Sequence, residues 1–136
     1  MEIRPYLFFE GRCDEAVAFY KEALGAEVAM LMRYRDLPDP QPGSVPPGGA
    51  DKVMHAELRI GEASLLVSDG LCGRQPSFQG FAVALTVPDA ETARRRFDAL
   101  AQGGQVRMPL APTFFSPAFG MVADKFGVGW MVVTQR

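Results

Sequence analysis

The strongest constraint on the fold of this 136-residue chain is an internal repeat. Phe19, Gly25 and Val28 recur as Phe97, Gly103 and Val106, at a constant offset of 78 residues. A repeated supersecondary unit that cannot bury its sheet face alone packs against its neighbour. The repeat therefore predicts two like modules, with any ligand cavity at the seam between them.

Each copy is predicted to contain a strand, a helix and then three strands. In the first copy we expect strands at 3–9, 27–34, 53–60 and 63–69, and a helix from residue 13 or 14 to residue 24 that ends at Gly25. In the second copy we expect strands at 81–87, 105–108, 119–124 and 129–134, and a helix that begins at Pro88-Asp89 and ends at Gly103-Gly104. The predicted fold class is α+β: two βαβββ modules, at about 1–70 and 80–136, forming a curved mixed sheet around a cavity in a single domain.

The composition argues against several classes of binding partner. A net charge of −2 supplies no basic excess for nucleic acid, and no apolar run approaches the roughly 20 residues that span a bilayer. Cys13 and Cys72 lack metal-type spacing, and the N-terminus lacks a signal-peptide pattern. We therefore expect a cytoplasmic protein with reduced thiols that binds neither nucleic acid nor membrane. The Pro- and Gly-rich segment 36–51 is predicted to be a long loop, with a role as a lid, a dimer arm or a disordered segment left open.

The predicted strand 53–60 carries a row of titratable side chains. Alternation places Met54, Ala56, Leu58 and Ile60 on one face and His55, Glu57 and Arg59 on the other, about 6.5–7 Å apart along the strand. The row suits polar contacts to a ligand, but it equally suits a local hydrogen-bonded row. Ser68 and Asp69 end the next strand, where they are expected either to contact a ligand or to start a turn. Phe114 and Phe115 lie in a Pro-bounded loop and are expected to form a ligand lid or a dimer contact. Trp130 is expected either to line an apolar pocket or to belong to the core. The candidate ligand-binding residues are His55, Glu57, Arg59, Ser68, Asp69, Phe114, Phe115 and Trp130.

Three motifs carry a resemblance to a known family. They are Pro5-Tyr6-Leu7 followed by Asp14-Glu15-Ala16, Phe19-Tyr20 and Leu24-Gly25; His55-Ala56-Glu57-Leu58 leading to Ser68-Asp69; and Asp124-Lys125-Phe126-Gly127-Val128 before Trp130. Together they resemble the PhnB-like branch of the vicinal oxygen chelate (glyoxalase/bleomycin resistance/dioxygenase) superfamily, related to the 3-demethylubiquinone-9 3-methyltransferase-like domain. The resemblance implies paired βαβββ modules and a homodimer. A methyltransferase role is not expected, because neither strand-to-helix turn has the Gly-rich cluster of a cofactor site.

Metal-dependent members of this superfamily bind one divalent ion through the first and fourth strands of each module. Helix and glycine landmarks place these four positions near Pro5, Leu66, Ala82 and Met131, and none of these side chains is a good ligand for such an ion. Moving each position by one residue does not restore a ligand set. One histidine and one glutamate are also too few without Asp69 or a dimer partner. We therefore expect no metal and no other cofactor.

The sequence is most consistent with a small-molecule-binding protein of the glyoxalase/bleomycin-resistance type that lacks the usual metal quartet. The alternative is a metal- or acid/base-dependent lyase, isomerase or oxygenase that uses His55 and Glu57 as catalytic residues. A third reading is a dimeric scaffold with a vestigial cavity. Whether the chain is an enzyme, and which ligand it takes, is left open at this stage.

Overall fold

Two structural units divide the chain, and each contains one copy of the repeat. The computed structural model describes residues 1–135; the first unit is Met1–Pro76 and the second begins at Ser77. The first contains β1 (Tyr6–Phe8), α1 (Cys13–Leu24), β2 (Glu27–Arg33), a short 3₁₀ helix (Tyr34–Asp36), β3 (Val53–Ile60) and β4 (Ala63–Ser68). The second contains β5 (Val83–Val87), α2 (Ala90–Ala101), β6 (Gln105–Ala111), β7 (Phe119–Ala123) and β8 (Gly129–Thr134). The α+β class and the βαβββ order of both modules are confirmed.

Both units arrange their strands in the same mixed sheet. The strand order is β1-β4-β3-β2 in sheet one and β5-β8-β7-β6 in sheet two, and the first and last strands of each module pair in parallel. In both units the helix packs on its own sheet. How the two units pair, and the single domain that they would form, stay predictions.

The edge strands β1 and β6 differ most from their predicted lengths. β1 is three residues long instead of seven, and Pro5, which has no N–H to donate, stands immediately before it. β6 was predicted to stop at Met108 but continues through Pro109 to Ala111. β6 lies at the edge of its sheet, and its pairing with β7 is irregular between Met108 and Ala111, the two settings in which a strand tolerates proline.

The core of the first unit lies between α1 and one face of sheet one. The apolar face of the helix includes Ala16, Val17 and Tyr20, and the fully buried Ala56 and Leu58 face it from β3. Gly25 ends α1 with φ of 68°, the left-handed conformation that glycine adopts without strain. Within residues 1–135, neither helix has the length and apolar character that crossing a bilayer would require.

Candidate functional site

The side chains of β3 alternate between the core and an open face of sheet one. Ala56 and Leu58 are fully buried, whereas His55 and Glu57 are partly exposed and Arg59 is exposed. Because successive side chains of a strand point to opposite faces, these three polar groups share the face that α1 does not cover. The alternation that the sequence predicted for this strand is present.

A hydrogen bond joins His55 to the edge strand β1. The Tyr6 hydroxyl lies 2.7 Å from His55 Nδ1, with the two ring centroids 5.3 Å apart. Strand β4 separates β1 from β3, and Leu66 pairs with both Tyr6 and Glu57. The Tyr6 side chain therefore crosses one strand to reach the histidine.

The Tyr6 ring is also held from its other side. It stacks on Phe8 with centroids 4.8 Å apart and an angle of 4° between the planes. Tyr6 remains 39% exposed and Phe8 46% exposed, so the stacked pair forms an aromatic surface open to a ligand. Partial burial raises the pKa of the Tyr6 phenol, which therefore keeps its proton at neutral pH.

Glu57 is bound by a second side chain from the same edge of the sheet. Arg4 Nη1 donates to Glu57 Oε1 at 2.8 Å, and Arg4 Nε also lies 3.1 Å from Glu2 Oε1. The Ser64 hydroxyl donates to the other Glu57 oxygen at 3.4 Å. The negative charge of Glu57 is thus compensated locally.

Arg59 differs from Arg4 because its charge has no ion-pair partner in the part of the chain that the structure describes. Ser64 and Glu27 stand opposite Arg59 on the neighbouring strands. A positive charge is therefore available on this face for a ligand.

Ser68 and Asp69 lie in the interior of the first unit. Asp69 Oδ1 accepts hydrogen bonds from the backbone N–H groups of Gly11 and Cys13, and Oδ2 accepts one from Val53. The Ser68 hydroxyl donates to the Met54 carbonyl at 2.7 Å and accepts from the Gly70 N–H. The Asp69 oxygens connect segments of the backbone, whereas the buried Ser68 hydroxyl, besides its backbone contacts, interacts with the Tyr6 phenol that binds His55.

The aromatic candidates all belong to the second unit. Trp130 is buried, and its indole N–H donates to Asp124 Oδ2 at 2.9 Å. Phe114 is 93% exposed and Phe115 is 47% exposed, with their centroids 5.2 Å apart. A ligand lid or a dimer contact at these two phenylalanines stays a prediction.

The four positions that the resemblance implied for a metal ion can be compared with the strand pairing. Strand pairing sets Tyr6 beside Leu66 and Ala84 beside Met131, so the first-strand residues that pair with Leu66 and Met131 are Tyr6 and Ala84 and not Pro5 and Ala82. A neutral phenol, two aliphatic groups and a thioether do not fit a hard or borderline cation. Residues 1–135 also contain no group of three or more His, Cys, Asp or Glu that could hold a metal ion.

Arg4 and Tyr6 are the site residues that the sequence reasoning missed. Period-two alternation in the first strand was the available signal, since it places Tyr6 and Phe8 on one face and the buried Leu7 on the other. The pairing of β1 with β4, which brings that face next to the row on β3, is not a local property of the sequence.

Comparison with known proteins gives consistent matches over nearly the whole chain. The family model described as "Glyoxalase/Bleomycin resistance protein/Dioxygenase superfamily" matches residues 3–132. The protein YjdN of Escherichia coli (strain K12) is 35% identical over 138 residues, which covers 97% of this chain and 94% of YjdN.

Two solved structures extend these matches to the fold. Protein PA1353 from Pseudomonas aeruginosa has a TM-score of 0.84 and 39% identity, covering 99% of this chain and 98% of that one. The PhnB protein from Bacillus cereus, a proposed 3-demethylubiquinone-9 3-methyltransferase, has a TM-score of 0.79 and 27% identity, covering 98% of this chain and 99% of that one.

Proposed function

This chain belongs to the glyoxalase/bleomycin resistance protein/dioxygenase superfamily, and we propose that it binds a small molecule on the open face of sheet one without the usual metal quartet. The observation that carries the proposal is the pair of contacts that cross β4, Tyr6 to His55 and Arg4 to Glu57, on a partly exposed surface. Side chains that are already held by partners lose little conformational freedom when a ligand binds.

The surroundings of these polar groups suit a ligand with an apolar body. Phe8 on β1 is 46% exposed and Met30 on β2 is 42% exposed, so apolar surface flanks the polar residues on both sides. Small-molecule sites typically combine apolar walls with a few fixed polar groups. Arg59 adds a cation to this surface.

The alternative, a lyase, isomerase or oxygenase that uses His55 and Glu57, is less well supported by the contacts. Glu57 is bound to Arg4, which occupies one of its oxygens. His55 Nδ1 is occupied by the Tyr6 hydroxyl. In each group, one of the two atoms that could act as a general base is therefore already engaged in a hydrogen bond. The homodimer and the cytoplasmic location remain predictions.

A screen of small molecules by thermal unfolding tests the proposal. We expect compounds that stabilise the wild-type protein to lose their effect in His55→Ala and Glu57→Ala. The matched control is Asp98→Ala, which removes an exposed ion pair with Arg94 on α2 and should leave the ligand effect unchanged. At a ligand concentration of 100 times Kd, the stabilisation should be about 2.7 kcal/mol.

The same preparation tests the metal-dependent alternative. Purified protein is analysed for bound metal and titrated with Ni²⁺, Zn²⁺, Mn²⁺ and Fe²⁺. Stoichiometric metal that is lost in His55→Ala would overturn the proposal. So would a screen in which no stabilising compound depends on His55.

A further inference from the structure

We propose that His55 donates a hydrogen bond from Nε2 to an oxygen atom of the ligand, and that Tyr6 is the positioning residue that fixes this state. The inference rests on the proposed function and assigns the ligand to a chemical class: a small carboxylate with an apolar or aromatic body. It also makes His55 a donor and excludes Nε2 as the atom that removes a proton from the ligand.

The two nitrogens of the His55 imidazole have different roles. A neutral histidine has one N–H and one lone pair, and the hydrogen bond at one nitrogen determines the state of the other. The Tyr6 hydroxyl lies 2.7 Å from Nδ1. If the phenol donates, Nδ1 carries the lone pair and Nε2 carries the hydrogen.

In the reverse arrangement the phenol oxygen accepts from Nδ1–H, and the phenol proton turns to Ser68 or to solvent, since Tyr6 is 39% exposed. Ser68 is the nearby hydroxyl that interacts with Tyr6. Its oxygen already accepts the Gly70 N–H at 2.9 Å, and its own proton goes to the Met54 carbonyl. Donation from Tyr6 to His55 is favoured because the phenol is the stronger donor and the imidazole lone pair the stronger acceptor of the two groups that share the 2.7 Å bond.

Protonation of the histidine does not change the outcome at Nε2. In the imidazolium ion both nitrogens are donors, with Nδ1–H directed to the phenol oxygen and Nε2–H free for a ligand. Partial burial raises the pKa of Tyr6, so the phenol does not supply a phenolate at neutral pH. Nε2 is a hydrogen-bond donor in both charge states of His55.

The charges on the same face select the acceptor. Glu57 is compensated by Arg4, whereas Arg59 has no ion pair among residues 1–135. Arg59 lies four residues from His55, about 13 Å along the strand, so its charge favours an anionic ligand on this face by attraction across the surface and not by sharing the oxygen bound at Nε2. The exposed rings of Tyr6 and Phe8 favour an apolar body beside it.

Nitrogen NMR of the labelled protein tests the tautomer directly, because His55 is the only histidine in the chain. We expect a protonated Nε2 and an unprotonated, hydrogen-bonded Nδ1 in the neutral form. In Tyr6→Phe the Nδ1 signal should move towards that of a free imidazole. Phe8→Leu, which removes the stacked ring but keeps the phenol, should leave it in place. A wild-type protein with its proton on Nδ1 overturns the inference.

Titration with benzoate tests the ligand class, with benzylammonium as the probe of opposite charge. Benzoate should shift the His55 Nε2 signal and benzylammonium should not. Tyr6→Phe should weaken benzoate binding by about threefold to tenfold, the effect of one hydrogen bond. If benzoate leaves His55 unchanged while another compound requires His55, the carboxylate assignment fails and the proposed function stands. If no compound requires His55, the proposed function itself fails.

Discussion

Asp69 is expected to be the residue whose loss most destabilises the first unit. Its two oxygens accept hydrogen bonds of 2.8–2.9 Å from the N–H groups of Gly11, Cys13 and Val53. Helix α1 has no side-chain cap from its own N-terminal residues, and Asp69 supplies a buried negative charge to that end of the helix from a distant part of the chain. One carboxylate thus joins the helix start, the β3 start and the β4 end.

The magnitude follows from these three bonds. Hydrogen bonds to a charged group contribute about 1.5–3 kcal/mol each, and a buried N–H left without a partner costs about 1–3 kcal/mol. Because water fills part of the vacated space and the losses are not additive, Asp69→Ala should lower the free energy of unfolding by about 3–5 kcal/mol. Asp69→Asn keeps one acceptor oxygen but turns an NH₂ group towards a backbone N–H, so we expect an intermediate loss of about 1–3 kcal/mol.

Urea unfolding measures this series. Far-UV circular dichroism follows both helices, and fluorescence of Trp130, the only tryptophan, reports on the second unit. Asp51→Ala is the control, since Asp51 is 81% exposed and its ion pair with Arg35 should contribute no more than about 1 kcal/mol. If Asp69→Ala and Asp51→Ala are equally stable, the assigned role of the Asp69 carboxylate is wrong.

Two further stability predictions concern other positions. A Cβ at Gly104 would lie 2.1 Å from the Ala123 carbonyl oxygen, so Gly104→Ala should lower the free energy of unfolding in urea by about 3 kcal/mol or more. Gly73→Ala is the control, because a Cβ at Gly73 meets nothing within 4 Å and should change the free energy of unfolding by less than about 0.5 kcal/mol. Equal losses in the two variants would contradict this reading. The hydrogen bonds from Arg33 lower the pKa of Asp14, so the stability that this pair contributes is present above the ordinary aspartate pKa of 3.8 and is lost as the pH falls through the lowered value. Asp14→Asn should therefore show a weaker loss of urea midpoint in acid than the wild type, and parallel acid profiles would refute the assignment.

The repeat and the local signals predicted most of the fold. The bounds of α1, β3 and β8 agree with the sequence reading because each has a sharp local marker, such as Gly25 after the helix and the alternation of β3. The lengths of β1 and β6 could not be predicted, since the effect of Pro5 or Pro109 depends on whether a strand lies at the edge of a sheet.

The site was predictable only where its residues share one strand. His55, Glu57 and Arg59 were found because alternation groups them, but their partners Tyr6 and Arg4 lie about 50 residues earlier in the chain. The role of Asp69 was also not predictable from its neighbours in the sequence. The sequence predicted that Asp69 forms a turn or contacts a ligand. Its partners in the structure are backbone N–H groups of distant segments, which no local pattern identifies.

The two copies differ at the positions that carry the contacts across β4 in sheet one. Corresponding positions on the two sheets are defined by strand pairing. They read Tyr6, Leu66 and Glu57 in sheet one, and Ala84, Met131 and Met121 in sheet two. With a methyl group in place of the phenol and a thioether in place of the carboxylate, the second copy has no groups to make the crossing contacts. Any chemistry should therefore be sought on the face that carries His55.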